Sequence, residues 1–302
     1  MSSAPTNVLS FDVEHWYSAT LVRDSVSDPT DHLTESVESV LSILADYDVQ
    51  ATFFVVGQVA ERYPELIARI DRAGHEIGSH GHTHQPLFDL SKASFREEIA
   101  ASTAAIRTAT GTQPIGFRAP NFSVTPKTRW AIEVLNEAGY RYDSSVFPVR
   151  TPMYGVNGVP LEPYRLDPAR PFEQGTVNSP LVELPLAVAH PKLRVPIAGG
   201  FYARLLPRRL LVAGIRRLNA RGIPATLYFH PWEFNPAVTT DEPGLHKRFV
   251  SFHGIDGLSA TLRTLLETFS FTTAASVARA QPGGQSDTAE GDQTITNARR
   301  TE

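Results

Sequence analysis

The stretch Ala51-Thr52-Phe53-Phe54-Val55-Val56 decides the fold, because it is rich in β-branched and aromatic residues and is closed by Gly57. Apolar residues at helical spacing follow it, namely Leu66, Ile67 and Ile70. The short segment from His75 to Gly78 then predicts another strand. The order strand, helix, strand predicts two parallel neighbours joined by a right-handed crossover.

The same alternation extends outward along the chain. Further strands are predicted at 8–11, 115–118, 140–143, 181–184, 225–229 and 269–271. Helices are predicted at 33–44 with Thr34 as N-cap, at 95–106, at 125–139 opened by Thr125-Pro126, at 207–221 and at 258–268. We therefore expect an α/β fold, a distorted seven-stranded (β/α) barrel, over a single domain of residues 1–280. The Pro- and Gly-rich segment near 145–180 is predicted to be a long irregular insertion, and residues 281–302 a disordered tail.

Composition excludes several classes of function. The chain has 302 residues with a net charge of −4, which argues against nucleic-acid binding. It contains no cysteine, so metal ligands would have to be His, Asp or Glu. No window reaches the roughly 18 apolar residues of a membrane span. Because no signal peptide is recognisable at the N-terminus, a cytoplasmic location is expected. The sequence leaves the oligomeric state open.

The segment His80-Gly81-His82-Thr83-His84 holds three of the ten histidines. Imidazole is a common protein ligand of transition metals. A helical turn would place His80 and His84 on one face, whereas an extended chain would pair His80 with His82. Either pair allows two nitrogen atoms to converge on one ion, so the segment predicts a metal site.

Other polar clusters follow predicted strands, where barrels of this class place their chemistry. Asp12 and Glu14 are two residues apart after the first strand, so both can point into one site. A carboxylate beside two histidines makes a hydrolytic metal site with open positions. Three further polar clusters contain Arg118, Asp143 and His230, respectively.

Together these clusters resemble the polysaccharide deacetylases of the NodB-homology type, carbohydrate esterase family 4. The resemblance runs through all the motif blocks of that family, in order, across residues 8–234. The block His80-x-x-x-His84, preceded by Gly-His-Glu-Ile-Gly-Ser, is its most specific part. Later segments around 183–186, 196–202 and 228–234 resemble a subgroup associated with exopolysaccharide gene clusters.

The resemblance implies roles for individual positions. Asp12 matches the catalytic base, and Arg118 matches the residue that orients it. His230 matches the general acid, and Asp143 matches the partner of that histidine. His80 and His84 match the two metal-binding imidazoles, and Asn121 stands where a backbone N–H contributes to the oxyanion site.

The first motif block departs from the family pattern. Many members have two adjacent Asp residues there, the second being a metal ligand, but Val13 follows Asp12 in this chain. Glu14 is therefore the candidate third ligand. Tyr228 and Trp232 are candidates for contact with the sugar or its acetyl group. Zinc is the first choice for such a site, and Co²⁺, Ni²⁺ and Fe²⁺ have similar ligand preferences.

We therefore expect a metal-dependent hydrolase that removes N-acetyl groups from an N-acetylated sugar or polysaccharide precursor. One alternative is a metal-dependent hydrolase of cyclic imides or ureides on the same barrel. A second is an amidohydrolase that uses His80-x-His82, although that motif usually follows the first strand of its fold. A third is a catalytically silent carbohydrate-binding relative.

Overall fold

The computed structural model describes residues 4–151, 154–176, 179–190 and 194–282. One sheet contains all the strands of these ranges. They are β1 (Asn7–Val13), β2 (Thr52–Val55), β3 (Glu76–Ser79), β4 (Gly116–Phe117), β5 (Tyr142–Asp143), β6 (Tyr164–Arg165), β7 (Val182–Glu183), β8 (Thr226–Phe229) and β9 (Phe271–Thr272).

The sheet order is β6-β7-β5-β4-β3-β2-β1-β8, with β9 paired to the start of β1. All neighbours on this path are parallel except β6 and β7. The chain beyond β7 approaches the other end of the path, where the Ala187 backbone N–H donates to the Thr226 carbonyl at 3.0 Å. Seven parallel strands therefore curve into the distorted (β/α) barrel that the alternation predicts.

Helices cover the outside of the barrel. They are α1 (Leu33–Asp46), α2 (Gly57–Arg62), α3 (Pro64–Arg72), α4 (Lys92–Thr110), α5 (Trp130–Glu137), α6 (Gly200–Leu205), α7 (Arg208–Asn219), α8 (Leu245–Phe252), α9 (Ile255–Thr268) and α10 (Ala274–Arg279). None of the helices in the described ranges combines the length and apolar character that crossing a bilayer requires.

The alternation of side chains along the strands separates two kinds of interior. On β1, Leu9, Phe11 and Val13 face outward into the main core beneath the helices. A smaller cluster, which includes Val8 and Phe54, fills the inside of the barrel near the strand N-termini, and α10 packs against it. The apolar residues thus leave the carboxyl ends of the strands free for polar side chains.

Several local predictions are wrong. Thr34 is not the N-cap of the first helix, because α1 already begins at Leu33 with His32 at the cap position. The pair Thr125-Pro126 opens a turn instead of a helix. Thr128 Oγ1 accepts from the Thr125 N–H at 2.8 Å and donates to the Ser123 carbonyl at 2.6 Å, and α5 starts only at Trp130. These side-chain hydrogen bonds hold the segment in a turn that precedes the helix.

The sequence analysis missed α2, α6, α8 and α10, which have six to eight residues each. Such short segments give weak periodicity. The segment near 145–180 is largely irregular in its described parts, as predicted, and contributes only β6 to the sheet. Residues 283–302 of the predicted tail lie outside the described ranges.

Candidate metal centre and active site

Parallel strands bring their carboxyl ends to one rim, and the predicted site residues meet there. Ser10 and Asp12 on β1, with Glu14 just beyond it, alternate with the apolar positions and point inside the barrel. His80 follows β3, and Arg118 follows β4. All five side chains are buried, with exposed fractions of 3% or less.

Glu14, His80 and His84 form the candidate metal centre, because one ligand atom of each lies within 4.8 Å of the others. His80 Nδ1 lies 2.8 Å from the Arg118 carbonyl oxygen. A carbonyl only accepts, so Nδ1 carries the proton and Nε2 keeps its lone pair. Burial, with the neighbouring His84, lowers the pKa of His80 well below its ordinary value and keeps the ring neutral.

Glu14 supplies the carboxylate of this centre. Its Oε2 is buried, has no hydrogen-bond partner and lies against His84 Nε2. Burial raises the pKa of Glu14, but its interactions with His84, then His230 and His80, outweigh burial and lower it. An unpartnered anionic oxygen beside two imidazole nitrogens is the donor set that a divalent cation takes. The residues present therefore fit the implied metal.

His82 does not join the centre. Its Nε2 lies 4.0 Å from Glu61 Oε2, and its Nδ1 is buried without a partner. His84 has a backbone φ of 59°, a left-handed conformation that turns the segment back toward Glu14. Of the two pairings that the spacing allows, the structure has the one between His80 and His84.

Asp12 lies beside the centre and is held by Arg118. Arg118 Nη1 donates to Asp12 Oδ1 at 2.7 Å, and Asp12 Oδ2 lies 4.0 Å from His80 Nε2. The Arg118 side chain is fully buried, with further hydrogen bonds to Ser10 Oγ at 2.9 Å and to Ser144 O at 3.0 Å. These bonds satisfy a charge that would otherwise be costly in the interior, and they fix the orientation of the Asp12 carboxylate.

His230 follows β8 and lies between two carboxylates. Its Nε2 is 3.6 Å from Glu14 Oε1, and its Nδ1 is 3.2 Å from Glu233 Oε2. Burial disfavours the charged ring, but the hydrogen bond with Glu233 and the charge of Glu14 outweigh it and raise the pKa of His230 to about 9. The imidazole is therefore cationic near neutral pH.

Glu233, in turn, is held by Arg204 of α6. Arg204 Nη2 donates to Glu233 Oε1 at 3.0 Å and to the Val250 carbonyl at 3.1 Å. Burial opposes ionisation of Glu233, but the charges of Arg204 and His230 outweigh it and lower its pKa to about 2. This buried series of contacts, from Arg204 through Glu233 to His230, fixes the orientation of the imidazole and favours its charged form.

This series corrects the prediction for Asp143. The family resemblance implies that Asp143 is the partner of His230, but Glu233 occupies that position. Asp143 is a register partner of Glu183 on the adjacent strand and accepts a hydrogen bond from Ser145 Oγ. Burial raises the pKa of Asp143 to about 6. Burial and the charge of Asp143 raise the pKa of Glu183 well above its ordinary value. The two buried carboxyl groups therefore share a proton.

A cleft of about 170 Å³ opens above the centre. Of the predicted site residues, those that line it are Asp12, Glu14, His80, His84, Asn121, Tyr228, His230 and Trp232, whereas Arg118 and Asp143 lie outside the lining. Trp232 stacks on His230 with ring centroids 5.2 Å apart, and its indole Nε1 is buried without a partner. Asn121 has a φ of 55°, and its side chain hydrogen-bonds Thr20 Oγ1 at 2.7 Å.

The sequence analysis missed Glu233 and Arg204. Glu233 stands three residues after His230, a spacing typical of a capping box, and its carboxylate accepts from the His230 backbone N–H at 2.9 Å. That spacing was the available signal. Arg204 comes from a separate helix, and nothing local marks it. Gly200 makes room for this pair, since a Cβ at that position would overlap the Glu233 carboxylate.

Two parts of the chain match known family models. Residues 9–142 match the family model described as polysaccharide deacetylase, and residues 144–279 match a domain of unknown function, DUF3473. The chain carries a polysaccharide deacetylase domain. This domain supplies the candidate metal centre together with Asp12 and Arg118, whereas the DUF3473 region supplies His230, Glu233 and Arg204.

Curated relatives of the deacetylase domain match over limited stretches. The peptidoglycan-N-acetylglucosamine deacetylase of Bacillus cereus is 30% identical over 100 residues, which cover 33% of this chain and 36% of that protein. The chitooligosaccharide deacetylase of a Bradyrhizobium species is 40% identical over 70 residues, covering 23% of this chain and 32% of that protein. The chain thus spans about a third of the length of these relatives.

Solved structures agree with the barrel that the deacetylase domain and the DUF3473 region build together. A Mycobacterium smegmatis protein assigned as a polysaccharide deacetylase has a TM-score of 0.60 at 22% identity, over 92% of this chain and 91% of that chain. Puue allantoinase has a TM-score of 0.58 at 18% identity, over 91% and 89% of the two chains. At this level of identity both comparisons concern the fold alone.

Proposed function

We propose that this protein is a metal-dependent hydrolase that removes N-acetyl groups from an N-acetylated sugar or polysaccharide precursor. The observation that carries the proposal is the convergence of three parts in one cleft. These are the buried Glu14-His80-His84 triad, the Asp12 carboxylate held by Arg118, and the cationic His230. Amide hydrolysis needs an activated water, a stabilised oxyanion and a protonated leaving nitrogen, and the three parts are suited to these tasks.

Glu14, His80 and His84 would hold the divalent cation, and zinc suits two imidazoles and a carboxylate. When bound, such a cation lowers the pKa of a water molecule and polarises the acetamide carbonyl. The hydrogen bond from His80 Nδ1 to the Arg118 carbonyl supports this role, since it fixes the ring with Nε2 toward the cation site.

Asp12 would act as the general base. Its carboxylate accepts the proton of the attacking water while the oxygen of that water forms a bond to the acetyl carbon. Arg118 donates to Oδ1, which leaves Oδ2, 4.0 Å from His80 Nε2, for the proton. Because the pair is buried, Arg118 supplies the positive charge that faces the Asp12 carboxylate.

His230 would act as the general acid. The carbon–nitrogen bond breaks, and Nε2 of His230 transfers its proton to the departing amine, so that acetate and a free amino sugar leave. Asp12 then returns the water-derived proton to solvent, and His230 is reprotonated. Glu233 favours the imidazolium, since it accepts from Nδ1 and leaves the Nε2 proton directed toward the cleft.

The walls of the cleft suit a sugar substrate. The indole N–H of Trp232 has no hydrogen-bond partner among the described residues and can donate to a substrate oxygen. Tyr228 is buried against Phe122, with ring centroids 4.7 Å apart, and provides an apolar wall for the acetyl methyl group. The backbone N–H of Asn121 is the proposed oxyanion donor, a type of group worth about 10²–10³ in rate in other enzymes.

Acetate release from N-acetylglucosamine oligomers tests the proposal. We expect activity that a chelator abolishes and that zinc, or another divalent metal, restores. His80→Ala should lose the metal and the activity, whereas the matched variant His82→Ala should retain both, provided that circular dichroism shows each variant to be folded. Activity in His80→Ala equal to that of the wild type would refute the metal assignment.

The same preparations separate the alternatives. Bound metal without acetate release, but with turnover of a cyclic imide or ureide, would replace the deacetylase by the other hydrolase. A protein that binds oligosaccharides without metal and without turnover would be a carbohydrate-binding relative. Each of these results contradicts the proposed N-deacetylase.

A further inference from the structure

The positive charge of this chain is unevenly distributed. The segment from Leu184 to Trp232 contains no Asp or Glu and eight Lys or Arg residues, although the chain as a whole has a net charge of −4. Two of these basic side chains have internal partners. Arg194 donates to the Pro148 carbonyl at 2.6 Å, and Arg204 is bound to Glu233.

Five other arginines form an exposed face on α7 and the turn that follows it. We call them the arginine face, and they are Arg208, Arg209, Arg216, Arg217 and Arg221. Arg209 and Arg216 are seven residues apart, two helical turns, and therefore project from the same side of α7. The buried side of the helix carries Leu211, Ile215 and Leu218. Within the described part of the chain, none of the five guanidinium groups forms an ion pair or a hydrogen bond.

Exposed aliphatic side chains accompany the arginine face. Leu210 is 56% exposed on α7, and Leu205 is 47% exposed at the end of α6. Val195, 41% exposed, belongs to a loop next to α7, because a Cβ on Gly214 would come 3.1 Å from Ile197 of that loop. Large aliphatic groups among unpaired arginines, with no acidic residue between them, are unusual for a surface that faces only water.

This surface is continuous with the proposed active site. Gly200, Phe201 and Arg204 of α6 line the cleft, and α6 ends at Leu205, only two residues before α7 begins. A partner that binds Leu205 and Arg208 would therefore lie close to the cleft, whereas α7 runs away from it toward Asn219, which bonds Asn7 at the start of β1.

We propose that the arginine face, with Leu205 and Leu210, docks the protein on a bilayer rich in anionic lipids. Lipid phosphates provide bidentate partners for guanidinium groups, and the boundary between head groups and acyl chains receives exposed leucines. A nucleic acid or another soluble polyanion would complement the arginines but would leave the aliphatic side chains without a partner. Docking would present the cleft to substrates at the membrane surface, and it would not require a membrane-spanning helix.

Vesicle flotation with the full-length protein tests the proposal. We expect binding to vesicles of phosphatidylcholine and phosphatidylglycerol, no binding to phosphatidylcholine alone, and weaker binding as NaCl is raised. Replacing Arg208, Arg209, Arg216 and Arg217 by Gln should weaken binding about a hundredfold or more, since each surface arginine contributes roughly fivefold. Leu205→Ser with Leu210→Ser should weaken it several-fold without changing the charge.

The control removes the same charge elsewhere. Arg72, Arg107, Arg129 and Arg141 are exposed and unpaired on other parts of the surface, so their replacement by Gln should leave vesicle binding within about twofold of the wild type. Circular dichroism should report an intact fold in every variant. Because the measurement is of binding, its outcome does not depend on the proposed deacetylation.

Three outcomes would overturn the proposal. The wild type could fail to bind the anionic vesicles. The control variant could lose as much binding as the arginine-face variant, which would mean that only net charge matters. The wild type could bind a soluble sulfated polysaccharide through the arginine face while ignoring vesicles, which would make a polyanionic glycan the partner.

Discussion

At the scale of single residues, the orientation of His230 depends on Glu233. One nitrogen of the ring faces Glu233 at 3.2 Å, and the other faces Glu14 at 3.6 Å. Arg204 fixes Glu233 from the far side. We therefore assign Glu233 as the positioning residue of the proposed acid, in place of Asp143.

Glu233→Gln should separate this positioning role from a purely structural one. The amide keeps the volume but loses the charge that favours the imidazolium, so deacetylation of an N-acetylglucosamine oligomer should fall roughly tenfold to hundredfold. Hydrolysis of p-nitrophenyl acetate should change little, because p-nitrophenolate leaves without a proton. The measurement is kcat for both substrates.

Glu242→Gln is the matched control, since Glu242 is exposed and its carboxylate accepts from the backbone N–H and the hydroxyl group of Ser27. This variant should keep both activities. Equal losses of the two activities in Glu233→Gln would point to structural damage, and no loss of either would remove Glu233 from the proposed mechanism.

Sequence reasoning located individual catalytic candidates better than their partners. Asp12, His80 and His230 were predictable because each polar residue ends an apolar strand. The partner of His230 was not predictable. The alternation of side chains along a strand shows which face of the sheet a carboxylate lies on, but not which neighbouring residue it contacts. Asp143 and Glu233 are both buried. Which of them meets His230 depends on the packing of α6, whose Arg204 bonds Glu233.

At the scale of elements, Asp143 and Glu183 join β5 to β7 through a pair of buried carboxyl groups. Among the described residues, Asp143 Oδ2 and Glu183 Oε2 are buried without a hydrogen-bond partner, and Glu183 Oε1 accepts from the Val146 N–H at 2.9 Å. Two anions side by side in the interior would repel each other, so the folded pair retains a proton that the unfolded chain releases.

This shared proton predicts how stability depends on pH. Burial raises the pKa of Asp143 from its ordinary value of 3.8 to about 6 in the folded protein. At this site the folded state therefore binds more protons between these values, and the site alone should lower the free energy of unfolding by about 2 to 3 kcal/mol as pH rises through this range, whereas the lowered pKa of buried His80 acts in the opposite direction. Urea unfolding of the chelator-treated protein at a series of pH values measures this fall.

Glu183→Gln should flatten the pH dependence, because the amide can donate to Asp143 without carrying a charge. The variant should be at least as stable as the wild type at neutral pH. A pH dependence of stability between pH 4 and pH 6 that is the same in Glu183→Gln as in the wild type would contradict the shared proton.

The start of α6 depends on the absence of a side chain at Gly200. A Cβ there would overlap the Glu233 carboxylate, which Arg204 prevents from moving away. Gly200→Ala should therefore displace Glu233 and lower deacetylation by about tenfold through His230.

Gly257→Ala in α9, where nothing lies within 4 Å of the new Cβ, should keep the activity and raise the unfolding free energy by about 0.5–1 kcal/mol. Equal activity of both variants would show that α6 does not position the acid.

Long helices and apolar strands were easier to predict from the sequence than short elements. Strands β1, β2 and β8 are rich in apolar residues, and the sequence located them to within two residues at each end. The helix predicted from Thr125-Pro126 begins later, because Thr128 captures the turn with its hydroxyl group. Such local hydrogen bonds depend on the backbone path, which a pattern of residue types does not specify.

At the scale of the whole molecule, two sequence regions complete one site. The polysaccharide deacetylase region provides the candidate metal centre and the proposed base, and the DUF3473 region provides the proposed acid together with Glu233 and Arg204. The alternation of strands and helices predicted the barrel, but not the way its ends meet at Ala187 and Thr226. That contact joins segments about 40 residues apart, with α6 and α7 between them, which is beyond the reach of any local pattern.

The most direct test of the account measures metal content and acetate release on the same preparations of Asp12→Asn and Glu14→Gln. We expect Asp12→Asn to retain the metal and to lose activity by about 10²-fold or more, because only the proposed base is removed. Glu14→Gln should lose the metal and the activity together. Loss of metal from Asp12→Asn, or full metal and activity in Glu14→Gln, would contradict the division of roles between these two carboxylates.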